Sequence, residues 1–302
     1  MSKSKGLLAN LMFFATAIIW GFAFVAQRQG SNHIGSFAFN GIRFALGAVS
    51  LIPVILIFDR KAESRANNIK LLWASALAGF VLYAASALQQ VGIVYTQDSG
   101  KAGFITAIYT VLVPIACAVF FHQKISWNAW VGFALAGVGL YLLSVTGGIS
   151  SVGMGDIILF IGSFFWAGHI IVVDRVVGNL SPLKFACAQF AFCALFSLLS
   201  ALIFEGPITT EAVKGAAVPI LYCGLASVGV AYTLQIVGQK YCSNATLAAI
   251  IFSTESVFAA IGGAILMGEK MSVRGYIGCA MIFAGIVISQ LVLSGKDKKK
   301  TA

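Results

Sequence analysis

The sequence predicts an all-α membrane protein of ten transmembrane helices arranged as two inverted five-helix repeats. Three observations predict it. Of the 302 residues, 59% are hydrophobic and 10% charged, with a mean hydropathy of +0.93. A soluble domain carries roughly 25% charged residues, so this chain cannot cover a water-facing surface. Apolar runs long enough to span a bilayer, about 20 residues each, recur along the whole chain. The chain also repeats itself at one fixed offset. Trp20 recurs as Trp166, Leu88-Gln89 as Leu234-Gln235 and Val91-Gly92 as Val237-Gly238. Tyr95 recurs as Tyr241, Lys124 as Lys270, Ser126 as Ser272, Gly132 as Gly278 and Gly139 as Gly285.

The ten runs are 7–27, 34–58, 70–91, 101–121, 127–146, 155–175, 183–204, 215–238, 244–266 and 273–293. The first is long, holds Trp20 and is followed by no clear small-residue cleavage site, so it reads as a span rather than a signal peptide. The second holds Arg43. In the fourth, Pro114 is expected to kink the helix beside Tyr109; its repeat position is Ala260, so the kink is expected in one half only. In the fifth, Gly132-x-x-x-Ala136 permits close helix contact, within the bundle or between copies. A Gly/Ser-rich link, Thr146 to Ser151, separates the halves. Domains are expected at 7–146 and 153–293, with tails at 1–6 and 294–302. Five spans per half is an odd number, so the second half enters the membrane from the opposite side. The 32 glycines suit close helix packing in lipid, and the short alternating segments of a β-barrel are absent.

The net charge of +10 invites a nucleic-acid reading, but its placement argues for a membrane one. With the N-terminus inside, fourteen Lys and Arg fall in inside segments and five, Arg28, Lys101, Lys214, Lys270 and Arg274, fall outside. The positive-inside rule then places both termini in the cytoplasm. The Lys296 to Lys300 cluster is a topology anchor that also suits anionic lipid. Six cysteines, Cys117, Cys187, Cys193, Cys223, Cys242 and Cys279, lie in or beside spans with no metal-ligand spacing. They read as small packing residues, with no metal or cofactor expected.

Charges inside spans are the costliest residues, about 2.5–3.5 kcal/mol each at the bilayer centre. Arg43 and Glu255 are the two, either paired with each other or facing a substrate. Repeat symmetry maps Arg43 onto Gln189 and Glu255 onto Tyr109, so each half keeps a polar residue there with a different charge. That frame suits a zwitterion, with Arg forked on a carboxylate and Glu meeting an amine. A desolvated Glu255 also suits proton coupling. Trp20 and Trp166 lie inside their spans rather than at the interfacial belt, as cavity lining or as packing. Gln89 lies toward the outer end of the third span and Gln235 toward the inner end of the eighth, as gate residues or as interhelical glue. His169 reads as a hydrogen-bonded structural group or a proton relay. Asn40, one turn before Arg43, is placed to orient it.

Ile19-Trp20-Gly21, Arg43-Phe44, Gly155-Asp156 through Trp166-Ala167, Glu255 and Gly268-Glu269-Lys270 together resemble the drug/metabolite transporter superfamily, with two EamA-type domains spanning nearly the whole chain. The resemblance implies a secondary transporter, often an exporter of amino acids or other small metabolites. It departs from the family pattern at His122-Gln123-Lys124 and at Ser256, which follows Glu255 where many relatives carry proline. An enzyme would need clustered catalytic groups, and no P-loop for ATP is present. A channel or a membrane scaffold stands as the alternative, with oligomeric state open.

Overall fold

The computed structural model describes residues 3–60, 64–122, 127–144, 152–242 and 244–296. Lys61, Lys124, Ser126, the link from Thr146 to Ser151 and Lys298 to Lys300 lie outside the described residues. Every regular element among the described residues is helical. The first half holds α1 (Lys3–Gly30), α2 (Ser36–Phe58), α3 (Arg65–Thr96), α4 (Ser99–Thr106), α5 (Tyr109–Phe121) and α6 (Trp127–Ser144). The second holds α7 (Met154–Val176), α8 (Pro182–Phe204), α9 (Thr210–Gly215), α10 (Ala217–Leu221), a π-helical segment (Tyr222–Tyr232), α11 (Thr233–Tyr241), α12 (Ala245–Phe252), α13 (Glu255–Met267) and α14 (Val273–Lys296). Among the described residues, eight stretches are long and apolar enough to cross a membrane, and shorter apolar helices occupy Trp130–Gly139 and Val273–Gly285. The chain is a multi-pass membrane protein.

Helix ends repeat as faithfully as the residues do. α2 and α8, α4 and α12, and α5 and α13 begin and end at repeat-related positions. The caps repeat too: Asp98 accepts the Lys101 N–H at 2.7 Å, and Asn244 accepts that of Leu247 at 3.0 Å. A side-chain oxygen here satisfies one of the amides that a helix start leaves unbonded. α5 and α13 stop on left-handed residues, His122 (φ 51°) and Gly268 (φ 66°). Glycine takes that conformation without strain and histidine does not.

The fourth and ninth apolar runs are each two helices, which corrects the expected Pro114 kink. The breaks fall at Ala107–Ile108 and Ser253–Thr254, at repeat-related positions and not at the proline. At both, the backbone tightens to three-residue bonds: Ile108 N–H to Ile105 O (3.2 Å) and Thr254 N–H to Ile251 O (3.2 Å). Hydroxyls of Thr110, Ser253, Thr254 and Ser256 donate back to carbonyls three residues earlier. Such back-bonding competes with the helix ladder and bends it. Pro114 sits nearly two turns past the first break, where the carbonyl it leaves unbonded is that of Thr110.

The halves pack through reciprocal contacts. α2 lies along α8, α6 along α14, and α3 along α7 and α8, while α1 packs on the π-helical segment and on α11 to α13. A Cβ added at Gly139 would lie 2.5 Å from Gly278 O, and one at Gly285 would lie 2.5 Å from Gly132 O. Those four glycines are two repeat-related pairs, each approached by the other's backbone. The close contact foreseen at Gly132 and Ala136 is therefore made inside the bundle. Acid caps are exchanged in the same manner. Glu205, just past α8, accepts the Phe37 and Ala38 N–H groups that open α2 (2.8 and 2.9 Å). Its repeat partner Asp59, just past α2, accepts the Ser181 hydroxyl and pairs with Lys184 (3.6 Å) at the start of α8. All six cysteines are free thiols, four of them buried.

The counterpart of α3 breaks the correspondence: that single helix answers to α9, α10, the π-helical segment and α11. The π-helical segment answers to a regular α-helical stretch of α3. It docks α1: Thr16 donates to Ala231 O (3.0 Å), Trp20 Nε1 to Ser227 O (3.4 Å), and the Tyr222 hydroxyl donates to Ile19 O (3.0 Å). Gly285→Val is expected to separate α14 from α6 and to cost about 1–3 kcal/mol. The measurement is thermal unfolding in detergent, and an unchanged midpoint would contradict the contact.

Candidate functional site

α1, α2, α3, α7, α11, the α4–α5 and α12–α13 breaks and the π-helical segment converge on one cavity. Trp20, Arg43, Gln89, Tyr109, Trp166, His169, Gln235 and Glu255 all line it. Gln189 and Asn40, the remaining two sequence candidates, are each one hydrogen bond away from it. His169 Nε2 donates to Gln189 Oε1 at 3.2 Å, and Arg43 Nε donates to Asn40 Oδ1 at 2.8 Å. Asn40 in turn donates to Ser86 O (2.9 Å), which ties the Arg43 anchor to α3.

Arg43 and Glu255 share the cavity without forming an ion pair. The Arg43 guanidinium, 2% exposed, lies over the Phe44 ring at 4.9 Å and the Phe39 ring at 5.7 Å. An aromatic face attracts a cation, the more so away from water. Its Nη2 has no hydrogen-bond partner in the protein. Glu255 opens α13 at the helix break rather than sitting inside a continuous helix, and accepts the Tyr109 hydroxyl at 3.0 Å. Tyr109 is its repeat counterpart. Trp20 and Trp166, also counterparts, meet at 6.4 Å between ring centroids. Tyr232 completes this aromatic wall, 4.6 Å from Trp20 and stacked at 6.3 Å on Trp166.

Further polar atoms around the cavity stand unpartnered: Trp166 Nε1, His169 Nδ1, Gln189 Nε2 and Gln235 Oε1. Leaving such atoms buried and unbonded costs about 1–3 kcal/mol each, and these lie together around one cavity. Gln89, placed near one membrane face by the sequence reading, reaches this cavity as Gln235 does from the other end. Gln89 donates to Gln27 Oε1 (3.0 Å), and Gln235 to Gln239 Oε1 (3.0 Å).

Sequence reasoning missed Gln27, Thr106, Ser227 and Tyr232 as lining residues. Gln27 had a signal, being polar and two helical turns from Trp20 on the same face. Tyr232 lies one turn before Gln235. The three ion pairs among the described residues, Arg28–Glu269, Lys101–Asp156 and Lys184–Asp59, all lie at helix ends and none is in the cavity. Beside the first two, burial raises the Asp98 carboxyl above its usual range, and the Lys101 N–H that it caps opposes the rise. No group of three or more His, Cys, Asp or Glu is placed to hold a metal among the described residues.

Residues 7–145 and 153–291 each match the EamA-like transporter family. The chain belongs to that family. An uncharacterized transporter of Archaeoglobus fulgidus is 28% identical over 95% of this EamA-family chain and 87% of its own length. The uncharacterized transporter YoaV of Bacillus subtilis is 20% identical over 94% of this chain and 97% of its own. The uncharacterized inner membrane transporter YedA of Escherichia coli K12 is 24% identical over 92% and 89%. A solved crystal structure covers 94% of this chain and 96% of its own, with a TM-score of 0.71 at 15% identity, a likeness of fold alone. The family and these relatives make the EamA-family chain a membrane transporter, and the cavity is its candidate substrate site.

Asn40→Leu is expected to strand the Arg43 Nε–H and lower stability by about 1–3 kcal/mol. Thermal unfolding of detergent-purified protein, followed by tryptophan fluorescence, reads the effect.

Proposed function

We propose that the chain is a secondary carrier working by alternating access, which exports small polar or amphipathic metabolites, amino acids and related zwitterions first, across the cytoplasmic membrane. The observation that carries this reading is the separation of Arg43 and Glu255 in one cavity. Each is held by its own neighbours, Arg43 by Asn40 and two phenyl rings, Glu255 by Tyr109. A static buried ion pair would bring the two together. Held apart, they offer a guest one cationic and one anionic end, with aromatic walls between. A carboxylate suits the free Nη2 of Arg43 and the Nε2 donor of Gln189, and an amine suits Glu255.

Ten spans in two inverted repeats fit the same reading. The repeated helix ends, exchanged acid caps and reciprocal glycine contacts are what an in-plane pseudo-two-fold relation requires. Fourteen inside against five outside Lys and Arg favour both termini in the cytoplasm. Glu255, a buried carboxylate beside a cavity and clear of any ion pair, is the group on which proton coupling would act. A channel is the second reading. The ring contacts that close the cavity core, Trp20 with Tyr232 and Phe252 at 4.6 and 5.3 Å, favour the carrier over an open pore.

Substrate counterflow in proteoliposomes, with a metabolite panel rich in amino acids, tests this directly because exchange needs no driving force. Wild type is expected to exchange a zwitterion. Glu255→Gln is expected to keep exchange but lose its response to an imposed pH gradient. Loss of exchange as well would assign Glu255 to binding. Conduction far above carrier turnover, or no exchange by folded protein across the panel, would sink the proposal.

A further inference from the structure

Apart from its two charges, the cavity has neutral polar lining contributed by α7 and α11. Trp166, His169 and Ile170 share one face of α7, being three and four residues apart. Gln235 of α11 is tied to that face through Gln239. Gln235 Nε2 donates to Gln239 Oε1 (3.0 Å), and Gln239 Nε2 donates to Ile170 O (3.0 Å). This chain of bonds runs in one direction only. A backbone carbonyl accepts and never donates, so Gln239 must offer it an amide N–H and accept with its own oxygen, which takes the amide N–H of Gln235. Gln235 Oε1 is left over as an acceptor. His169 gives its Nε2–H to Gln189 (3.2 Å), which leaves Nδ1 with a lone pair and no partner. Trp166 is stacked on Tyr232 (18° between planes) and edge-on to His169 (88°). Its Nε1–H can only donate, and it has no acceptor.

Three residues that line the cavity thus carry one donor and two acceptors with no partner among the described residues. Trp166, His169 and Gln235 are 7%, 0% and 0% exposed, so bulk water does not serve them. Their counterparts differ. Trp20 spends its Nε1–H on Ser227 O (3.4 Å), and Ala23 stands in the place of His169. The count decides what fits. A primary carboxamide brings two N–H donors and one carbonyl oxygen, a partner for each of the three. A carboxylate only accepts, and would set its charge against Gln235 Oε1 and His169 Nδ1. An ammonium only donates and leaves the Trp166 N–H unmet. A hydroxyl has one hydrogen for two acceptors, and an alkyl side chain leaves all three atoms unpaired.

We propose that Trp166, His169 and Gln235 form a side-chain subsite for a primary carboxamide, so that the substrate is a zwitterion of the glutamine or asparagine kind. This rests on the carrier reading, in which Arg43 and Glu255 hold the charged head, and adds to it which side chain is selected and by which atoms. The Trp166 N–H meets the carboxamide oxygen, and the carboxamide nitrogen donates to Gln235 Oε1 and His169 Nδ1. A site built this way rejects an analogue that lacks the polar group, because the buried atoms are then left unpaired.

The test is counterflow in proteoliposomes with three probes of similar length: glutamine, glutamate and methionine. Wild type is expected to exchange glutamine about tenfold to a hundredfold faster than either of the others, the scale set by leaving buried polar atoms unpaired. Trp166→Phe keeps a ring and removes the N–H, and is expected to cut the glutamine-to-methionine ratio about tenfold. Gln235→Met removes an acceptor and is expected to lower the same ratio, partly by raising methionine exchange. A damaged fold would not give that gain, so this variant decides the matter if Trp166→Phe folds poorly. Equal exchange of glutamine and methionine, or a ratio that neither substitution moves, would overturn the subsite and leave the carrier standing. No exchange of any zwitterion by folded protein would instead overturn the carrier reading. Thermal unfolding in detergent then decides the subsite: glutamine is expected to raise the wild-type midpoint more than methionine does, and to lose that advantage in Trp166→Phe. Equal shifts in wild type would overturn it.

Discussion

A guanidinium that is 2% exposed inside a membrane-spanning helix sets the terms for its surroundings. Lipid supplies no hydrogen bonds, so each polar group at depth must be satisfied by protein or face a cavity. Arg43 takes both courses. Its Nε is bonded to Asn40, its flat faces lie near Phe39 and Phe44, and its Nη2 is left over. Asn40 must then reach Ser86 O, which brings α3 against α2. Phe44 packs on Phe190 and on Tyr232, and Tyr232 on both tryptophans. One charge thus fixes an aromatic wall drawn from α1, α2, α7, α8 and the π-helical segment. The second charge, Glu255, is met on the same cavity by the Tyr109 hydroxyl alone among the bonds recorded for its side chain.

Much of this was legible in the sequence because a fixed offset without gaps preserves register. Helix ends, caps and the meeting of Tyr109 with Glu255 all follow the register that Trp20 and Trp166 announce. The charges in spans were legible because apolar surroundings make any ionisable residue conspicuous. What was hidden depends on local competition between bonds. The breaks at Ala107 and Ser253 arise from tightened turns and hydroxyl back-bonding, whereas Pro114 drew attention as the louder signal. The π-helical stretch leaves no mark in composition. Gln27 escaped because its counterpart is Val173, so a search for conserved polarity between halves passed over it.

The site also depends on the departures from correspondence, and not only on the repeat. Tyr232 and Ser227 reach the cavity from a π-helical segment, while the equivalent residues of α3, Ser86 and Val81, do not line it. The carbonyls of Ser227 and Ala231 accept the Trp20 and Thr16 side chains, so the departure from α-helical geometry also anchors α1. One half supplies the cation, the other the carboxylate, and the walls between them are unequal.

The bond between Tyr109 and Glu255 has a genetic corollary. These positions correspond across the halves, yet the side chains touch. Were the halves two copies of one polypeptide, whatever residue stood there would face its own duplicate. Two glutamates would repel at close range in a medium that hardly screens them, and two tyrosines would leave the spot without an acid. Joining the copies in one reading frame lifts that restriction, since a single codon change then alters one partner and spares the other. The acid at the centre of this bundle is a residue that two copies of one polypeptide could not place opposite anything but itself.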